Sequence, residues 1–117
     1  MKFALVTLYV ENMEKSLEFY NKLLEIPIVG RHKIESGEDL VFMGMDDGVK
    51  LELISSNGKI SYSGFSIGFE VDDLPAIKER LNVCGYSVKR EMSPNNSTTL
   101  YFLTGPNGED VELIGRK

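Results

Sequence analysis

The chain repeats itself at a spacing of about 60 residues, and no other feature narrows its fold as much. Leu40-Val41-Phe42 and Leu100-Tyr101-Phe102 each lead through a polar turn, Asp46-Asp47-Gly48 or Pro106-Asn107-Gly108. The turns open into Leu51-Glu52-Leu53-Ile54 and Val111-Glu112-Leu113-Ile114. The Asp47-Gly48 and Asn107-Gly108 pairs supply the positive backbone dihedrals that tight hairpins require. The beginnings of the halves also match, Leu8-Tyr9-Val10-Glu11-Asn12-Met13 against Phe69-Glu70-Val71-Asp72-Asp73-Leu74. In each, an alternating strand runs into a short polar cap residue and then a helix.

The pattern predicts an α+β fold of paired βαβββ modules within one domain, residues 1-117, with units at 1-58 and 64-117. In the first unit, strand 3-10 precedes helix 13-24 and strands near 28-34, 39-45 and 49-55. In the second, strand 65-71 precedes helix 74-84 and strands near 86-91, 99-104 and 109-115. Asn12 caps the first helix and Asp72 or Asp73 the second, where Pro75 suits the first turn. Met13, Leu17, Tyr20 and Leu24 share one helical face, as do Leu74, Ile77, Leu81 and Cys84, so Cys84 is expected in the core. Pro27 and Gly85 mark the helix ends. Serine- and glycine-rich segments, Ser55-Ser56-Asn57-Gly58 and Ser61-Tyr62-Ser63-Gly64, connect the units.

Each sheet must bury one face against its helix. Strand periodicity assigns Ala4, Val6, Leu8 and Val10 to that face in the first strand and Phe65, Ile67, Phe69 and Val71 in its counterpart. Leu5, Thr7 and Tyr9, and likewise Ser66, Gly68 and Glu70, then point the other way, as do Glu52 and Glu112. A curved mixed sheet with its helices outside would enclose a cavity, and these side chains would line it.

Composition limits the partners. A net charge of −5 and scattered basic residues disfavour nucleic acid. No stretch reaches the roughly 18 apolar residues of a membrane span. The N-terminus meets Glu11 before a secretory core develops, and Cys84 is the single cysteine, so a reducing cytoplasm is the expected location. Asp46-Asp47 and Glu109-Asp110 are turn carboxylates without the spacing of a calcium loop.

The stretch Leu8-Tyr9-Val10-Glu11-Asn12-Met13-Glu14-Lys15-Ser16-Leu17-Glu18-Phe19-Tyr20 resembles the glyoxalase, bleomycin-resistance and extradiol-dioxygenase superfamily, also called the vicinal oxygen chelate fold. So does Pro106-Asn107-Gly108-Glu109-Asp110-Val111-Glu112-Leu113-Ile114. A glycine usual after the first helix is replaced by Leu24-Glu25-Ile26. The resemblance implies four metal ligands in metal-dependent members, a histidine early and a glutamate late in each unit. By position the glutamates are Glu52 and Glu112, while the histidine positions hold Leu5 and Ser66. Leucine has no donor and serine is a poor neutral ligand, so a histidine-bearing metal site is missing. No cofactor is expected beyond a weakly held hard cation such as Mg on the two carboxylates. His32, the single histidine, reads as a structural or surface residue.

The expectation is therefore a glyoxalase-like protein that binds a small organic molecule, with Leu5, Thr7, Tyr9, Ser66 and Glu70 as ligand-binding residues. Two alternatives stay open. One is a lyase or isomerase using Glu52 or Glu112 as the base in proton abstraction, with or without a weakly bound divalent ion. The other is antibiotic sequestration. Met43, Met45, Tyr101 and Phe102 suit either core packing or an apolar pocket. The resemblance also implies a homodimer in which units of different chains frame each cavity, so that Glu52 faces Glu112 of the other copy.

Overall fold

Two short polar side chains set where the helices begin. Asn12 Oδ1 accepts from the Lys15 backbone N–H, and Asp73 Oδ1 accepts from that of Ala76, each at 3.1 Å. Of the two aspartates expected to cap the second helix, Asp73 does so. The computed structural model describes residues 1–35, 37–46 and 48–117; the turn residue Asp47 lies outside them.

The chain forms two compact units, Met1–Ile60 and Ser61–Lys117. The first contains strand β1 (Leu5–Val10), helix α1 (Met13–Leu17), and strands β2 (Ile28–Lys33), β3 (Asp39–Met43) and β4 (Lys50–Ser55). The second contains β5 (Ser66–Glu70), α2 (Leu74–Val83), β6 (Arg90–Asn95), β7 (Thr98–Thr104) and β8 (Asp110–Arg116). Among the described residues each unit holds a four-stranded mixed sheet, in the order β1-β4-β3-β2 or β5-β8-β7-β6. The outer pair, β1 with β4 or β5 with β8, is parallel, because the helix carries the chain back across the sheet; the other pairs are antiparallel hairpins.

The buried layer lies where the helices pack. Leu8, Val10, Phe19, Tyr20, Val41, Met43 and Leu53 fill it in the first unit, and Leu81, Leu103, Val111 and Leu113 in the second. Gly115 is required there: a Cβ would stand 2.6 Å from Leu74 Cδ1, so the start of α2 rests directly on β8.

Several local expectations are corrected. After Leu17 the first helix widens over Glu18–Leu23 into i→i+5 turns, seen where the Leu24 N–H donates to Phe19 O at 3.0 Å. Glu25 follows with φ +60°, taking the left-handed position in place of a glycine. Cys84 is exposed rather than buried, because α2 ends at Val83 and Gly85 turns away with φ +88°. Strand β6 starts four residues later than the expected 86, since the Tyr86 N–H is spent closing the helix on Leu81 O and pairing with β7 begins when the Lys89 N–H donates to Phe102 O. Ala4 and Phe65 precede their strands and are exposed; Phe65 packs edge-on against Tyr62 at 5.7 Å. Ile67, Phe69 and Val71 are half-buried.

Candidate ligand-binding site

Sheet register brings the expected site residues together within each unit. On the face away from the helix, Glu52 lies between Thr7 of β1 and Phe42 of β3. Glu112 occupies the equivalent place between Gly68 of β5 and Phe102 of β7. Both glutamates are half-buried. Thr7 Oγ1 donates to Glu52 Oε1 at 2.6 Å. Flanking Thr7 on the same face of β1, Leu5 and Tyr9 stand 42% and 51% exposed, so this face carries exposed apolar surface. In the second unit Ser66 and Glu70 are exposed on either side of Gly68, and Glu70 accepts from Arg116 Nε.

Two cations that could have faced these carboxylates, Lys50 and Arg31, are committed elsewhere. Lys50 Nζ donates to Met45 O and to Gly48 O, tying the β3–β4 turn. Arg31 bridges Glu14 at 2.9 Å and Asp39 at 2.6 Å. That contact raises the Arg31 pKa and holds the Asp39 carboxyl below its ordinary value, chiefly through the hydrogen bond between them. His32 is exposed on edge strand β2.

Met43 and Tyr101 belong to the buried layer, where Lys78 Nζ lies 5.6 Å from the Tyr101 ring centroid. Met45 is exposed beyond β3. Phe102 is half-buried on the glutamate face. Sequence reasoning passed over its companions Phe42 and Arg90; the repeated Leu-x-Phe triplets would have placed Phe42, because parity sets it opposite the buried Val41. Glu109, read as a turn carboxylate, is fully buried, and accepts from the Asn107 N–H at 2.6 Å and Asn107 Nδ2 at 3.1 Å.

A cavity of about 340 Å³ opens at the end of the second sheet where β5 and β8 begin and β7 ends. Phe65, Ser66, Lys89, Phe102 and Asp110 are among its lining residues. Its walls are aromatic and aliphatic with a few polar groups, the composition of small-molecule pockets.

The donor set does not fit a histidine–glutamate metal centre. Leu5 has no donor atom, Ser66 offers a neutral hydroxyl, and Glu52 already accepts from Thr7. Among the described residues no three His, Cys, Asp or Glu side chains gather to hold an ion. Nor is any helix among them long and apolar enough to cross a membrane.

A model of the glyoxalase/bleomycin resistance protein/dioxygenase superfamily matches residues 2–113. A protein of Neisseria meningitidis named lactoylglutathione lyase is 28% identical over 127 aligned residues, covering 100% of this chain and 92% of that one. The trypanothione-dependent glyoxalase I of Leishmania major superposes with a TM-score of 0.83 at 18% identity, over 98% of this chain and 86% of that chain. TnmS3, an antibiotic-binding protein from a Streptomyces species, superposes with a TM-score of 0.76 at 16% identity, over 100% and 97% of the chains. At these identities the two structures share the fold.

Proposed function

The chain belongs to the glyoxalase/bleomycin resistance protein/dioxygenase superfamily, and from that premise we propose that it binds a small organic molecule on the sheet faces carrying Glu52 and Glu112, without a histidine-bearing metal site. One observation carries this reading. Both units hold a half-buried glutamate beside a phenylalanine at the same register position, while the positions that the resemblance would give to histidines hold Leu5 and Ser66. Leu5, Thr7 and Tyr9 would contact the guest in one unit, and Ser66 and Glu70 in the other. The protein would act in the cytoplasm as a homodimer, which light scattering tests.

A fragment screen followed by amide chemical shifts tests the binding. Saturable shifts should vanish in Tyr9→Ala for a guest on the first unit and in Glu112→Gln for one on the second. A folded sample that responds to no fragment sinks the proposal.

The Neisseria relative's name favours a second reading, in which Glu112 takes a proton from the carbon beside a carbonyl. Turnover of an α-hydroxy carbonyl compound that persists in Glu112→Gln excludes it. Saturable binding without conversion points instead to sequestration.

A further inference from the structure

The two glutamates occupy equivalent positions but have different neighbours. Glu52 receives the Thr7 hydroxyl at 2.6 Å. Across from Glu112 the same place belongs to Gly68, which brings no side chain. Among the described residues the Glu112 carboxylate has no hydrogen bond or ion pair. Packing does not demand a glycine there: a Cβ would meet Ile114 Cδ1 at 3.5 Å and Glu112 O at 3.9 Å, ordinary contacts. Nor does the backbone, since Gly68 is absent from the positive-φ positions. Gly68 therefore brings no donor to the carboxylate, where Thr7 brings one to Glu52.

Beyond Phe102 in the same row stands Arg90. Its guanidinium carbon lies 5.3 Å from the Phe102 ring centroid, and its Nη2 donates to Met92 Sδ at 3.1 Å. No carboxylate pairs with it among the described residues. Along one row the second sheet thus presents an unpartnered carboxylate, a phenyl ring and a guanidinium. Strand spacing places the backbones of Glu112 and Arg90 about 10 Å apart. The first sheet has no such row, because Glu52 is satisfied and Gly30 holds the place of Arg90.

We infer that the second unit is the ligand-receiving half, that Gly68 is the specificity-determining residue that makes it so, and that the ligand is an elongated aromatic hydroxy acid. Its hydroxyl donates to Glu112 as Thr7 does to Glu52, and its acid group meets the Arg90 guanidinium, whose paired N–H donors match a carboxylate. Its flat body lies along Phe102. The assignment rests on the small-molecule reading above and narrows it to one unit and one ligand class.

The probe is 4-hydroxyphenylacetate, compared with phenylacetate, which lacks the donor, and 2-(4-hydroxyphenyl)ethanol, which lacks the anion. Amide shifts should centre on Gly68, Phe102 and Glu112, and each control should bind about tenfold or more weakly, as expected for losing one charge-assisted hydrogen bond. Gly68→Thr, which imports the hydroxyl that holds Glu52, should weaken the probe by a similar factor, and Gly68→Ala by less. Gly68→Ser carries the same hydroxyl if the threonine variant folds poorly. Equal affinity in folded Gly68→Thr or Gly68→Ser, or equally tight binding of phenylacetate, overturns the inference. Shifts confined to residues 1–60 overturn the assignment to the second unit while upholding small-molecule binding. Silence towards this probe, with other fragments bound in the screen, overturns the ligand class alone.

Discussion

The buried turn between β7 and β8 offers a double-mutant test of what holds Glu112 and Phe102 in register. Glu109 is fully buried and its carboxylate accepts two hydrogen bonds from Asn107, itself only 5% exposed. The Gly105 N–H donates to Glu109 O and the Gly108 N–H to Gly105 O, closing the loop. Removing the acceptor in Glu109→Ala strands two buried donors, at about 1.5–3 kcal/mol for each bond to a charged group, while relieving part of the cost of burying the carboxylate. The net loss should be about 2–4 kcal/mol. Gly105→Ala attacks the same carboxylate from the other side. Its Cβ would stand 2.6 Å from Glu109 Cδ and 2.8 Å from Oε1, and Asn107 keeps the carboxylate from backing away. Such overpacking costs about 1–3 kcal/mol. In the Glu109→Ala background the obstructing atoms are gone, and the added methyl should cost less than about 0.5 kcal/mol, or stabilise slightly by restricting the unfolded chain. Urea unfolding of the four proteins should therefore give a coupling of about 1–2 kcal/mol. Additivity within about 0.5 kcal/mol, the behaviour of independent sites, would refute the claim that these residues share one packed contact.

Other perturbations address single features. Thr7→Val keeps the shape of the side chain but removes the donor to Glu52, and should cost about 0.5–1.5 kcal/mol, read as a fall in the denaturant midpoint; an unchanged midpoint would mean water replaces the hydroxyl without loss. Glu25→Gly relieves a left-handed residue at φ +60° and should stabilise by about 0.5–1 kcal/mol after the added freedom of the unfolded chain is subtracted, measured as a rise in Tm. Arg31→Met should raise the Asp39 pKa towards its ordinary value of 3.8, read from the carboxyl carbon shift in an NMR titration. Because the folded pKa of Asp39 is depressed, its contribution to stability is complete above 3.8 and disappears as pH falls through the folded value, so Arg31→Met should flatten the acid limb of the stability curve. A carboxyl that titrates identically in both proteins would show that the guanidinium is not the cause.

What the sequence made legible followed from local rules that tertiary packing left alone. The repeat, the caps at Asn12 and Asp73, the hairpin glycine Gly108 and the parity of Leu5, Thr7 and Tyr9 depend on spacing and on one residue's own chemistry. Extrapolation of a period past its physical end misplaced Cys84, since a helical face is defined only while the helix lasts, and α2 stops at Val83. The widened turns of Glu18–Leu23 leave no mark in an apolar pattern that serves an α-helix equally well. Glu109 was misread because a carboxylate next to a glycine turn is ordinarily hydrated; its burial depends on Asn107 donating from two groups at once. The difference between Thr7 and Gly68 was present in the repeat all along, but meant nothing until the register set each beside its glutamate. A duplicated unit fixes which positions correspond, and a single side chain can then set the two copies apart: Thr7 donates to Glu52, whereas Gly68 brings Glu112 no such donor.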